Sequence, residues 1–239
     1  GNTKAVLTVE KVGKVDLPAP DIFFGNSKME VTDTDIYKSD QVFTRGQMIT
    51  VTGIDNLNEW WIDPDFFEKQ SDGTLKFLPI NGDYRVTANG ILKYFSVIAL
   101  KDGKPAKLQD DGTGAIWAIG KGIGKPSVTS SEVGWETGKA LCLAQVAPKK
   151  YQLTLKAGET LKTSGDWEAI SFKFFYQNDW GGEFSNYASN TLVEQLKLTG
   201  SGNLEMQDNK AFEEGGVYRF TIDVTNGNAN AILKVEKIN

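Results

Sequence analysis

The chain has 239 residues, a net charge of −5, a pI near 5.0, and 40% hydrophobic, 24% charged and 11% aromatic residues. That composition predicts a folded globular chain with room for two ordinary domains, and the scatter of its 26 Lys and Arg residues argues against nucleic acid, which demands a concentrated basic surface. With no histidine at all, Ser-His-Asp and Cys-His catalysis and ordinary zinc sites are excluded, leaving only carboxylate, lysine or tyrosine chemistry.

The first residues, Gly1-Asn2-Thr3-Lys4, lack the basic and apolar regions of a signal peptide. From there on, turn signals recur at short intervals, among them Gly25-Asn26, Ser71-Asp72-Gly73, Asn89-Gly90, Asp111-Gly112 and Asn226-Gly227-Asn228. Between them lie alternating or β-branched runs, the pattern of hairpin-linked strands in sandwiches and barrels. Strands are expected at 48–53, 83–88, 94–100, 151–156, 171–177, 217–224 and 231–236. Thr191–Lys197 could be two helical turns behind an Asn190 cap, or equally a strand or loop. The fold class is all-β, read as two β-sandwich domains over residues 1–108 and 115–239. The joining segment Lys101–Gly114, KDGKPAKLQDDGTG, has no apolar run and should be exposed.

Two features of the chain invite a functional reading and have a plainer one beside it. Glu59-Trp60-Trp61-Ile62-Asp63-Pro64-Asp65-Phe66-Phe67 is dense in aromatics; the adjacent tryptophans could stack on a flat ligand, but neighbours in a strand face opposite ways, so core packing of at least one is the stronger expectation. Asp63 and Asp65 have the look of a sparse calcium loop that lacks further oxygen ligands. The single cysteine, Cys142, sits in an apolar run and reads as a buried thiol.

The C-terminal half carries an ordered series: Ile116-Trp117-Ala118-Ile119-Gly120, Gly134-Trp135, Tyr151 to Lys156-Ala157-Gly158-Glu159, Phe172-Lys173-Phe174 followed by Asp179-Trp180, and Gly216-Val217-Tyr218 leading to Asp223. This order resembles the starch-binding domains of the SusE/SusF family of Bacteroidetes outer-surface lipoproteins. It departs from that outline in a longer stretch between Gly120 and Trp135 and in an insertion over Thr160–Ser171. The resemblance implies a C-terminal carbohydrate-binding sandwich behind an N-terminal immunoglobulin-like one, and a non-catalytic cell-surface protein of a glycan-uptake system. It also implies an oligo- or polysaccharide ligand, other outer-membrane uptake proteins as partners, and a lipidated cysteine upstream of Gly1. No cofactor, metal or catalytic residue is expected.

The residues themselves agree with a sugar site. A pyranose presents an apolar C–H face and a hydroxyl rim, so its binding surface wants exposed aromatics with amides, carboxylates or cations beside them. Trp135, Trp167 and Trp180 all lie in loop-like contexts, although each could instead pack in a core. Lys173 alternates against Phe172 and Phe174 and should face out of the sheet. The resemblance assigns hydrogen bonding to vicinal sugar hydroxyls to Lys173 and to the loop residues Asn178 and Asp179. A glycosidase using two of Asp166, Glu168, Asp179 and Glu183 is one rival reading. A structural or protein-interaction module is another.

Overall fold

A computed structural model describes residues 20–164 and 169–239. Regular structure among these residues is almost entirely β, with one helical turn at Val128–Ser131 and three 3-10 turns. In the N-terminal half, Gly82–Asn89 alternates strictly, burying Tyr84, Val86 and Ala88 and turning Asp83, Arg85 and Thr87 away from the core. It lies at the centre of an antiparallel sheet ordered Lys104–Pro105, Tyr94–Lys101, Gly82–Asn89, Ile36–Phe43, Glu30–Asp33. Ile36–Phe43 is a strand that the sequence reading missed. Only Tyr37, Ser39 and Phe43 are buried along it, so its apolar signal is thin. Its partner holds it: all eight residues pair with Gly82–Asn89, and Arg85 donates to both oxygens of the directly opposite Asp40 at 2.6 and 2.7 Å.

The expected strand over 48–53 is divided. Met48–Ile49 pairs with Leu75–Phe77, whereas Val51–Thr52 pairs with Phe23–Phe24, so one short run serves two three-stranded sheets. Between these sheets and the larger one, the rings of Phe43, Phe67 and Phe95 surround Phe24 at centroid distances of 5.2–6.1 Å. Trp60 joins this core, stacked 4.6 Å from Phe95, and Phe66 and Phe67 are buried as well.

The C-terminal half is a sandwich. One sheet runs Glu132–Gly134, Trp117–Gly124, Ser171–Phe175, Leu204–Met206, Leu196–Leu198, with Leu141–Cys142 also paired to Trp117–Gly124. The other runs Ala144–Ala147, Lys150–Lys156, Val217–Asp223, Ile232–Lys237, Ser189–Thr191. Phe172 and Phe174 of the first sheet meet Phe220 of the second at 5.5 and 6.5 Å. Gly120 permits the close crossing of the first sheet's central pair: with φ at +141°, a Cβ there would stand 2.3 Å from the Phe172 Cα. Thr191–Lys197 contains no helix; its ends belong to two strands of different sheets.

The seam between the halves is tightly bonded, although most of the link over 101–114 is exposed, as expected, with Ala106, Leu108 and Gly112 buried along it. Ala106 and Leu108, two residues apart and so on one side of an extended chain, are buried in the C-terminal core, and the Leu108 N–H donates to the Tyr176 carbonyl at 2.8 Å. The Ile80 N–H donates to the Gln145 carbonyl at 2.9 Å, and the Trp61 Nε1 to the Glu159 carboxylate at 2.6 Å. Trp61 therefore bridges the halves, and the Trp60-Trp61 pair forms no open platform.

At the centre of the seam, Asp63 and Asp65 hold a lysine rather than a calcium ion. Lys125 Nζ reaches Asp63 at 2.7 and 2.9 Å and Asp65 at 3.2 Å, all three side chains being buried. Asp65 also accepts from the Thr154 N–H and hydroxyl, each at 2.6 Å, and from the Gln152 amide at 2.7 Å. Burial pushes the Asp63 carboxyl above the usual carboxylate range, against the pull of Lys125. Burial opposes the Asp65 charge too, but Lys125 and the donors from Gln152 and Thr154 hold that carboxyl below the range. The two carboxylates keep Lys125 above the ordinary lysine value in spite of its burial. Cys142 is a free, buried thiol that burial pushes up to about 12.

Candidate functional site

Because Phe172 and Phe174 point into the sandwich, Ser171, Lys173 and Phe175 must point out of it. The loop that follows turns back at Gly181 and Gly182, both in the left-handed region at φ +82° and +67°. Tyr176 then donates to the Gly182 carbonyl at 2.6 Å, and Glu183 pairs with Phe175. The return seats Trp180 against the outer face, its ring 6.0 Å from Phe175 and nearly perpendicular to it. From the neighbouring edge strand, Gly134 at φ +58° leads into Trp135, whose ring lies 6.4 Å from Trp180 at an interplanar angle of 27°. Trp135 is half-buried and Trp180 is 52% exposed. Segments 45 residues apart in sequence thus build one aromatic surface.

Lys173 points to this same face, as alternation requires, but it is not free. It is 7% exposed, and its Nζ lies 2.7 Å from a Glu183 carboxylate oxygen. The loop folding back over the strand covers the lysine, so Glu183, which is better exposed, is the polar group left beside the rings. Asp179 is drawn into the local turn, its carboxylate accepting from the Trp180 N–H at 2.8 Å, while the Gln177 amide donates to the Trp180 carbonyl at 2.7 Å. Asn178, half-buried, has no hydrogen-bond partner for its amide among the described residues. Trp167 lies outside the described residues, as do Asp166 and Glu168 of the glycosidase reading.

The structure thus brings together Trp135 and Trp180, with Lys173 on the same face, and gives Lys173 and Asp179 internal partners instead of open positions. Phe175, buried beneath Trp180, and Glu183 are the neighbours of this surface that the sequence reading did not assign to sugar binding. Phe175 ends the Phe172-Lys173-Phe174 run, and continuing the alternation one step places it beside Lys173. Glu183 carried no comparable signal, because its place depends on how the loop returns. With Lys173 and Glu183 neutralising one another, the face offers aromatic area and hydrogen-bonding groups without a net field from that pair, an arrangement suited to an uncharged ligand.

Residues 111–225 match a domain of unknown function (DUF5121), and residues 13–108 match another domain of unknown function (DUF5125). No curated protein matches the chain.

Proposed function

We propose that this chain, whose halves match two domains of unknown function, is a non-catalytic glycan-binding protein whose ligand lies on the outer face of the C-terminal sheet. The observation that carries the reading is Trp135 stacked beside a half-exposed Trp180 that itself lies over Phe175. A large indole left half in water contributes little to folding, and a paired, rigid aromatic surface covers a sugar face with little loss of conformational freedom. Glu183, held by Lys173, supplies a fixed acceptor for ring hydroxyls, and the Asn178 amide, which has no partner among the described residues, supplies donors. Lys173 acts here as a positioning residue.

The similarity of the C-terminal series to SusE/SusF starch-binding domains makes a neutral α-glucan the first ligand to try. It also supports placement at the outer-membrane surface beside other glycan-uptake proteins. Affinity electrophoresis in gels containing amylopectin or another neutral polysaccharide tests the site. If each ring contributes on the order of 1 to 2 kcal/mol, Trp135→Ala and Trp180→Ala should each weaken binding roughly five- to thirtyfold, with no reducing sugar released by the wild type. Unchanged binding in both folded variants would place the ligand elsewhere. Release of reducing sugar would favour the glycosidase reading.

A further inference from the structure

The triad at the seam sets one ammonium against two carboxylates, so its charges do not cancel, and each of the three side chains is at most 3% exposed. The groups packed around it leave that surplus in place. On its own loop, the ring of Trp61 lies 5.9 Å from the Lys125 Nζ, while the indole N–H is spent on Glu159. Glu159 pairs in turn with Lys156 at 2.9 Å, at the partly exposed margin of the seam. Tyr94 comes from the Tyr94–Lys101 strand and Cys142 from the Leu141–Cys142 strand; burial pushes both up, so both stay neutral at ordinary pH. The Lys150–Lys156 strand brings the uncharged donors of Gln152 and Thr154. Arg219 stands opposite Thr154 on the next strand but forms no ion pair with either aspartate, and its Nε has no partner among the described residues.

The hydrogen bonds decide where the surplus negative charge sits. Besides Lys125, Asp65 accepts from the Thr154 N–H and hydroxyl and from the Gln152 amide. Asp63 accepts from Lys125 and from a single N–H, that of Asp65 at 3.1 Å. A buried carboxylate with so few donors is poorly compensated for the water it has lost, and taking a proton removes that cost. The opposite displacements of the two carboxyls, Asp63 upward by burial and Asp65 downward by its donors and Lys125, run the same way.

We propose that the triad is a proton-operated clasp between the halves: Asp63 takes one proton from solvent, its carboxylate becoming a carboxylic acid, and the seam is held more tightly with that proton than without it. With the proton bound, one ammonium faces one carboxylate and the buried charge sums to zero. When the proton leaves, the surplus charge returns, and admitting water to the seam relieves it. A carboxyl raised in the closed seam stabilises that state fully below its ordinary value of 3.8, and the stabilisation is lost as pH rises through the closed-state value. Asp65 acts in the opposite sense below 3.8 and Lys125 only above 10.5, so neither enters this window. The clasp is independent of the aromatic face.

The test uses the full chain labelled with ¹³C and ¹⁵N, followed by NMR from about pH 4.5 to about pH 9. The Asp63 carboxyl carbon, assigned through its own backbone, should titrate within that range while the Asp65 carbon stays that of a carboxylate. The Ile80 N–H and the Trp61 indole N–H bond across the seam. Their exchange protection, corrected for the intrinsic pH dependence, should fall by up to about tenfold per pH unit until the Asp63 midpoint and level off above it. Amides bonded within one half, Phe77 to Gln47 and Phe184 to Phe174, should keep their protection. Asp63→Asn, which removes the titrating group at nearly the same size, should make protection at the seam independent of pH. The proposal is overturned if the Asp63 carboxyl stays ionised throughout, or if it titrates with no change in protection at the seam. It is also overturned if Phe77 and Phe184 lose as much protection as Ile80, for the proton then serves the whole fold, or if Asp63→Asn keeps the pH dependence. Should Asp63→Asn fail to fold, the wild-type carboxyl and exchange titrations decide between these outcomes.

Discussion

The seam and the outer face of the C-terminal sheet both depart from the rule that charges stay wet and aromatic rings stay dry, and they do so in opposite senses. At the seam, two carboxylates and an ammonium are buried, and each has its partners: Lys125 touches both aspartates, and Asp65 takes three further donors. On the outer face, Trp180 is half in water although it touches the buried ring of Phe175, and the Asn178 amide, two residues before it in the chain, has no hydrogen-bond partner among the described residues. The difference separates structural from functional exceptions. A buried charge with every bond made explains itself as architecture, whereas exposed apolar area and unpaired polar groups still have bonds and contacts to give.

Three experiments press on that contrast. The largest effect is expected for Lys125→Met, which leaves two carboxylates buried against one another: chemical denaturation should show a loss of about 3 to 5 kcal/mol. A loss below about 1 kcal/mol would mean that water reaches the triad and that the seam is looser than its distances indicate.

The next effect is a pH dependence. The folded value of Lys125 lies above the ordinary 10.5 because Asp63 and Asp65 outweigh burial. A group whose folded pKa is raised stabilises the fold fully below its unfolded value, and that stabilisation disappears as pH rises through the folded value. The wild type should therefore lose stability above about pH 10.5 more steeply than Lys125→Met does, in denaturation series run across that range. Parallel curves would remove the ammonium from the account.

The smallest effect is expected at the other region. Trp180→Ala should cost about 1 kcal/mol or less in stability, because the ring is 52% exposed and its contacts are to Trp135 and Phe175. A loss as large as that of Lys125→Met would recast Trp180 as a core residue and remove the main support for a binding face.

The all-β class was legible in the sequence because period-two alternation and turn residues are local signals. Tyr84, Val86 and Ala88 announce their strand without reference to anything else. The inward direction of Phe172 and Phe174, and with it the outward direction of Lys173, followed from the same alternation. Gly134-Trp135 and Asp179-Trp180 were recognisable as loop tryptophans, but nothing in the sequence stated the distance between them. The strand Ile36–Phe43 was not legible, since a paired partner and a cross-strand Arg85–Asp40 bond hold it in place of an apolar stripe.

What the sequence by itself determined was thus the class of fold, the absence of histidine chemistry and which side chains of each strand share a face, all of which depend on neighbours in the chain. Tertiary structure alone decided the rest. Asp63 and Asp65 became partners of a lysine 60 and more residues away instead of ligands of an ion. Lys173 was covered and given to Glu183 by a returning loop. Each of these outcomes depends on which distant group arrives within hydrogen-bonding reach. Burial then makes the presence or absence of that group worth several times what it would be in water.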